Sequence, residues 1–290
     1  MVSIIINPVS GGGTLATARL HAEVASAQMN ALGIRGEVHL TTHRGHAHAL
    51  ASVAVSRGED RVVAWGGDGT VNEIASALVH TETVLGVVPA GSGNGLAREL
   101  HLPTVPDAAL ACALSSPARL IDAGMLGGRW FFSIAGIGFD AHVAAAFDRD
   151  AGRRGLAGYL RITARELWHY ECLHYSIDGA DPISALLLTL ANTAQWGNGA
   201  RIAPTARVDD GLLDMVAFEE RSRLSTLWAL PALFTGGVAR VRGVSIRKVT
   251  NVVVDSSTPM LFHVDGEPVQ GGTRLEARVH PAALNVAVGG

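Results

Sequence analysis

Apolar and polar positions along the first third of the chain alternate between two periods. Residues 3–6 form a short apolar run that predicts a strand. It ends in the turn Asn7-Pro8-Val9-Ser10-Gly11-Gly12-Gly13, after which residues 14–32 carry apolar side chains at helical spacing. Residues 36–40 predict a second strand and 45–56 a second helix. The apolar run 61–65 predicts a third, buried strand; it leads through Gly66-Gly67-Asp68-Gly69-Thr70 into a helical pattern without a breaker over 71–79. A fourth strand follows at 84–88, then the turn Pro89-Ala90-Gly91-Ser92-Gly93-Asn94, then the start of another helix at 95–100. This βαβα rhythm predicts a mostly parallel sheet with helices on both faces. Ligands on such sheets collect at the carboxyl ends of the strands, and all three glycine-rich turns lie at such ends.

Past Leu102-Pro103-Thr104-Val105-Pro106 and a short Ala-rich helix, the texture changes. Strand patterns at 120–125 and 130–134 flank a Gly127-Gly128 turn, and others follow at 173–177, 183–190, 213–218, 252–254 and 260–264. Helical patterns interrupt them only at 141–147, 156–170 and 223–234. The fold class expected is therefore α/β followed by all-β: an α/β domain over 1–118 and an antiparallel β-sandwich over 119–290. The last strand is free to return to the first domain.

Composition narrows the chemistry. Hydrophobic residues make up 48% of 290, enough for a substantial core, and a net charge of −3 gives no reason to expect nucleic acid. Arginine occurs 22 times and lysine once, at Lys248. Phosphate contacts at a glycine-rich loop must then come from backbone amides, Arg, Ser, Thr or Asn. Cys112 and Cys172 have no paired spacing, which argues against a disulfide framework or a zinc site. No apolar run is long enough to span a bilayer, so a cytoplasmic protein is expected, with peripheral contact at the inner face of the membrane left open.

A glycine-rich turn between strand and helix brings backbone close to a ligand and aims N–H groups at an anion. In Gly66–Thr70 the carboxylate of Asp68 complicates simple anion binding, because it needs a cation or a donor between itself and a phosphate. That combination points to a nucleoside triphosphate with magnesium. The other two turns are weaker taken alone: Ser10, Thr14 or Asn94 could serve only as helix caps. Asp265-Gly266 reads equally as a tight hairpin turn, and Arg207-Val208-Asp209-Asp210-Gly211-Leu212 as a polar turn closing two strands. Arg153, Arg154, Arg161 and Arg165, interleaved with Leu156, Tyr159, Leu160 and Trp168, could rest on anionic headgroups or form a solvated helix face. The stretch 227–234 reads first as core packing, with a lipid cleft as the alternative.

Read together and in order, these stretches resemble the diacylglycerol kinase catalytic family, which includes bacterial diacylglycerol kinases, YegS-like proteins and sphingosine kinases. The matching pieces are Asn7-Pro8-Val9-Ser10-Gly11, Gly66-Gly67-Asp68-Gly69-Thr70-Val71-Asn72-Glu73 and Pro89-Ala90-Gly91-Ser92-Gly93-Asn94. Further matches are Gly136-Ile137-Gly138-Phe139-Asp140-Ala141, Ile202-Ala203-Pro204, Asp209-Asp210-Gly211-Leu212-Leu213-Asp214 and Asp265-Gly266-Glu267. The resemblance implies a fold like that of NAD kinases, with a nucleotide-binding α/β domain, a β-sandwich domain and an active site between them. It implies that the Gly66–Thr70 loop binds ATP phosphates, that Gly67 to Glu73 contact ATP, and that Asn7, Thr41 and Ser92 assist. It makes Glu267 the acceptor of the lipid hydroxyl proton; His263, a rival base, reads as structural. It also implies a magnesium ion held by the Asp210 carboxylate and the carbonyls of Arg207 and Leu212, with Asp122 joined to the metal through water and Asp68 in the magnesium network.

The implied activity is transfer of a phosphoryl group from ATP to a lipid hydroxyl, diacylglycerol first, at a membrane surface, with homodimerisation left open. Many bacterial diacylglycerol kinases carry Asp after the third-loop Asn, where this chain has Gly95, and the Gly91-Ser92-Gly93-Asn94 form also resembles sphingosine and long-chain-base kinases. Two rival functions are an NAD kinase and a nucleotide-binding regulator without turnover. Asn72-Glu73, the Asp265-Gly266-Glu267 ending and the lack of a Thr-Pro-Thr-Gly-Ser signature argue against the first. The retention of both Asp68 and Glu267 argues against the second.

Overall fold

The computed structural model describes residues 1–149, 156–197 and 200–289. The chain divides into two compact units, Met1–Asp122 with Ala282–Gly290, and Ala123–Pro281.

In the first unit strands and helices alternate as the pattern predicts: β1 (Val2–Ile6), α1 (Leu15–Ala31), β2 (Gly36–Leu40), α2 (His46–Ser56), β3 (Arg61–Gly66), α3 (Asp68–Leu78), β4 (Val84–Pro89), a short α4 (Gly95–Glu99) and α5 (Pro106–Ser115). The strands are parallel in the order β2-β1-β3-β4. β1 and the 62–66 stretch of β3 are buried throughout, as expected of strands covered on both faces. The helix starts follow local chemistry. Thr14 and Thr17 form a reciprocal capping box at α1, and Pro106 occupies the first position of α5, where its missing N–H costs nothing.

The α3 helix begins at Asp68 rather than at Val71. Gly66 ends β3, so only Gly67 remains between strand and helix, and Asp68, Gly69 and Thr70 form the first helical turn.

Continuing along the chain are β5 (Ala118–Leu126), β6 (Arg129–Phe131), β7 (Ile134–Gly138), α6 (Phe139–Arg149), α7 (Leu156–Leu167), β8 (Leu173–Ile177), β9 (Ile183–Ala191), β10 (Gln195–Gly197) and β11 (Ala200–Arg201). Then come β12 (Leu213–Glu219), α8 (Arg223–Thr235), β13 (Val244–Val249), β14 (Asn251–Ser256), β15 (Leu261–Val264), β16 (Glu267–Gln270) and β17 (Arg274–Ala287). The ladders of the second unit are antiparallel and centre on β9. It pairs with β8 through 183–185, with β7 through 187–191 and with β12 along most of its length.

Alternate residues of these strands enter two cores. Leu188, Leu190, Met215 and Ala217 pack with Phe262, Val254 and Ala277 on one face. Leu187, Ala191 and Val216 pack with Phe139, Val143, Ile162 and Leu233 from the three helices on the other. Helices thus cover a face of the sheet, which is why β9 is buried on both sides instead of alternating with water-facing residues.

The structure departs from the sequence pattern in three places. The strand expected over 130–134 is broken between β6 and β7, because the Asp265 carboxylate takes up the N–H groups of Phe132, Ser133 and Ile134. β10, β11, β13, β16 and β17 have no counterpart among the expected strands; β13 has no fully buried position and β17 contains Pro281. The helix expected to reach 170 stops at Leu167.

The end of β17 lies in the first unit, where Val286 pairs in parallel with Leu85. Its return starts at Ala282, held at φ 49°, whose N–H donates to the buried Asp122 carboxylate at 2.8 Å. Arg153 and Arg154 lie outside the described residues.

Candidate active site

Three loops follow β1, β3 and β4 in the first unit, and a hydrogen-bonded network joins them. The Asn7 amide donates to the Thr70 hydroxyl at 2.9 Å, and its carbonyl oxygen accepts the Val9 N–H. The Ser10 hydroxyl accepts from Gly67 N–H at 3.3 Å, and Ala90 N–H donates to Gly66 carbonyl at 2.8 Å. Two glycines are required by close approach. A Cβ on Gly66 would meet the Thr70 side chain at 2.6 Å, and one on Gly91 would lie 2.6 Å from the Gly67 Cα.

Asp68 is the brace of this arrangement. Its two carboxylate oxygens accept Gly95 N–H at 2.7 Å and Asn94 N–H at 2.8 Å. Asn94, at φ 53°, closes the third loop by accepting Gly91 N–H and donating back to Gly91 carbonyl. Burial pushes the Asp68 carboxyl above its ordinary value of 3.8, against the pull of those N–H groups. Gly95, the departure noted in the sequence, therefore contributes a backbone donor to Asp68.

While the Asp68 N–H is drawn to its own carboxylate, the N–H groups of Gly69 and Thr70 in the first turn of α3 have no earlier carbonyl within the helix to bond to. With the helix dipole they form an anion-binding end suited to phosphate oxygens. Val71 is buried, and its N–H already donates to Gly67 carbonyl. Thr41 stands at the end of β2 with its N–H on Ile6 carbonyl, and Ser92 is exposed at the tip of the third loop. Asn72 accepts from the Ser76 hydroxyl at 3.4 Å.

The Glu73 side chain, expected at the nucleotide, instead accepts Gly45 N–H at 2.8 Å and Ala47 N–H at 3.1 Å at the start of α2. We expect Glu73→Ala to cost about 1 kcal/mol of stability, as for a lost helix cap, with the KM for ATP unchanged. Urea denaturation and ATP titration check this. A higher KM without lost stability would put this carboxylate on the nucleotide.

Ser10 and Asn94 were legible in the sequence as cap residues within family motifs and Gly95 as a departure from the pattern; their role in joining loops comes from tertiary contact.

In the second unit, Glu267 opens β16, half-buried, after a two-residue turn in which Asp265 and Gly266 have φ 47° and 86°. Two positive φ values make this the tight hairpin that Asp-Gly favours, with Val264 opposite Glu267. The turn is fixed from two sides. The Asp265 carboxylate accepts three N–H groups at 2.9–3.0 Å, and Gly266 N–H donates to His263 Nδ1 at 3.2 Å. That bond leaves the His263 proton on Nε2, which faces the buried Asp140 carboxylate at 3.4 Å; the Thr189 hydroxyl donates to the same oxygen. His263 is therefore a structural residue, and Asp140 of the Gly-Phe-Asp motif supports the hairpin that carries Glu267.

In the turn 207–212, the Asp210 carboxylate accepts Leu212 N–H at 3.1 Å and the Lys248 ammonium at 2.8 Å. Burial opposes the Lys248 charge, but bonds to Asp210 and Asp214 outweigh it and hold the amine above its ordinary value. Arg207 pairs through its side chain with Asp209 at 3.5 Å. Among the described residues, no three His, Cys, Asp or Glu side chains are grouped to hold a metal ion. Also among the described residues, no helix is long and apolar enough to cross a membrane.

The architecture is an α/β unit of parallel strands with glycine-rich turns at their carboxyl ends, followed by an antiparallel unit. Two family models cover it: the diacylglycerol kinase catalytic domain over residues 1–126 and the YegS C-terminal NAD kinase beta sandwich-like domain over 133–288. The chain is 33% identical over 258 residues to a Chromohalobacter salexigens protein named "Probable lipid kinase YegS-like", covering 86% of this chain and 83% of that one. It is 31% identical over 268 residues to a diacylglycerol kinase of Mycobacterium tuberculosis, covering 88% and 84%. A crystal structure of a Bacillus anthracis diacylglycerol kinase shares the fold with a TM-score of 0.73 at 18% identity, over 99% of this chain and 96% of that one. The chain belongs to the diacylglycerol kinase and YegS-like family of lipid kinases.

Proposed function

We propose that this lipid kinase transfers the γ-phosphoryl group of ATP to the hydroxyl of diacylglycerol, giving phosphatidic acid and ADP. The observation that carries the reading is the braced loop network around Asp68, which presents the α3 N–H groups to an anion. Backbone donors on Gly69 and Thr70, with Asn7, Thr41 and Ser92 beside them in the family pattern, hold the triphosphate. This chain has no lysine there, so backbone donors and neutral side chains carry that work. Magnesium, when bound with the nucleotide, neutralises charge on the phosphate oxygens.

The lipid oxygen attacks the γ-phosphorus as the bond from that phosphorus to the β–γ bridging oxygen breaks. Glu267 accepts the hydroxyl proton, and ADP carries away the bond's electron pair. A lipid hydroxyl is a poor nucleophile, and a positioned carboxylate assists it as the phosphoryl group moves. The rigid Asp265-Gly266 turn supports Glu267 in that role, because a fixed base needs no reorganisation.

The Gly91-Ser92-Gly93-Asn94 loop, followed by Gly95 instead of Asp, favours a second acceptor, a sphingoid base, through its likeness to long-chain-base kinases. Labelled ATP offered with diacylglycerol, a sphingoid base or NAD separates these readings. Label in phosphatidic acid is expected; label in phosphorylated NAD, or in no acceptor, overturns the proposal.

A further inference from the structure

The turn 207–212 is where the family resemblance implies a magnesium ion, and it already contains a cation of its own. Asp210 accepts the Lys248 ammonium at 2.8 Å on one oxygen and the Leu212 N–H at 3.1 Å on the other. The same ammonium donates to Asp214 at 2.9 Å, and the second oxygen of Asp214 accepts from the Thr205 hydroxyl at 2.8 Å.

This is not a stray surface contact. The β12–β13 ladder sets Lys248 directly opposite Asp214, and the Asp214 side chain is only 1% exposed. The register of two strands therefore delivers the amine to this place. Sequence usage sharpens the point: arginine fills 22 of the 23 Lys and Arg positions, and lysine occurs only here. A guanidinium is a planar fork, whereas an ammonium is a compact charge with donors in three directions. Only the latter resembles a small ion set between two carboxylates.

We propose that the Lys248 ammonium is the resident cation of the 207–212 turn, standing where the related enzymes are expected to hold magnesium. A divalent ion on Asp210 would have to share that carboxylate with an ammonium already 2.8 Å from it. Magnesium also demands a near-octahedral oxygen shell at about 2.1 Å, and one oxygen here is committed to Lys248 while the other accepts an N–H. The two carboxylates and their turn are thus held by a covalent part of the chain. The second unit needs no divalent ion for its fold, and any magnesium requirement arises with the nucleotide. This holds whether or not the acceptor is diacylglycerol.

The test uses the full chain without nucleotide. Melting temperatures are measured in EDTA and in millimolar magnesium for wild type and Lys248→Met, and bound Mn2+ is counted by electron paramagnetic resonance. Wild type is expected to melt at the same temperature in both solutions and to retain no Mn2+. Lys248→Met is expected to melt several degrees lower in EDTA, to regain part of that loss in magnesium, and to bind one Mn2+. A wild-type melting temperature that falls in EDTA overturns the proposal. So does one Mn2+ per wild-type chain that Asp210→Asn abolishes, or a Lys248→Met protein that gains nothing from magnesium. If Lys248→Met does not fold, the wild-type Mn2+ count decides alone.

Discussion

Glu267→Gln is expected to lower turnover with the lipid acceptor by about 10²–10⁴-fold, the usual contribution of a general base, with ATP affinity unchanged. The substitution keeps the size and shape of the side chain but removes its capacity to take a proton. The surrounding hairpin should survive, because its geometry rests on other groups. Asp265 holds the N–H groups of Phe132, Ser133 and Ile134, and His263 holds Gly266 N–H. Melting temperature is therefore the control, and it should stay at the wild-type value. Steady-state kinetics with varied ATP and varied lipid separates the outcomes. A loss confined to kcat supports the base role, whereas a raised lipid KM at unchanged kcat would make Glu267 a binding residue only.

Asp68→Ala is expected to weaken ATP binding by roughly 100-fold. Each bond from a backbone N–H to this carboxylate contributes about 1.5 kcal/mol or more, about 1.4 kcal/mol is tenfold in affinity, and the variant loses both. Asn94 and Gly95 would then have no fixed acceptor, and the third loop would lose its anchor on the α3 start. Asp68→Asn separates charge from shape, because its amide can accept only one of the two N–H groups; an effect of about tenfold is expected there.

The same variant carries a pH signature. Burial raises the Asp68 pKa above 3.8, so the native state holds this proton more tightly than the unfolded chain does. The group's contribution to stability accordingly falls as pH rises from about 3.8 through the raised native value, and Asp68→Asn lacks that slope. Urea denaturation across this range should show the wild-type minus variant difference decreasing with pH; an increasing difference would contradict the burial argument.

The order of elements in the first unit was legible because β1, β3 and β4 are short apolar runs that lead into glycine- or proline-containing turns, and the helices between repeat at their own period. The start of α3 was not, since Gly66, Gly67 and Gly69 have poor helix propensity and the pattern alone ends the loop after Thr70. In the second unit the hairpin at Asp265-Gly266 was legible from two residues. The break between β6 and β7 was not, because its cause lies more than 130 residues away in the Asp265 carboxylate. The same distinction holds for the candidate site. The glycine-rich motifs marked which loops matter, while the function of Asp68 as their brace depends on contacts with Asn94 and Gly95, 26 and 27 positions on. Likewise Glu73 belongs to a nucleotide motif by sequence, yet its carboxylate closes α2. Lys248 looked incidental until the β12–β13 register set it against Asp214.

The most direct measurement is transfer of label from γ-labelled ATP to diacylglycerol in mixed lipid vesicles with magnesium, followed by extraction into organic solvent, for wild type and Glu267→Gln. The account predicts labelled phosphatidic acid with wild type and a hundredfold or greater reduction with the variant. Label that stays in ATP or inorganic phosphate with wild type, or a variant as active as wild type, would contradict it.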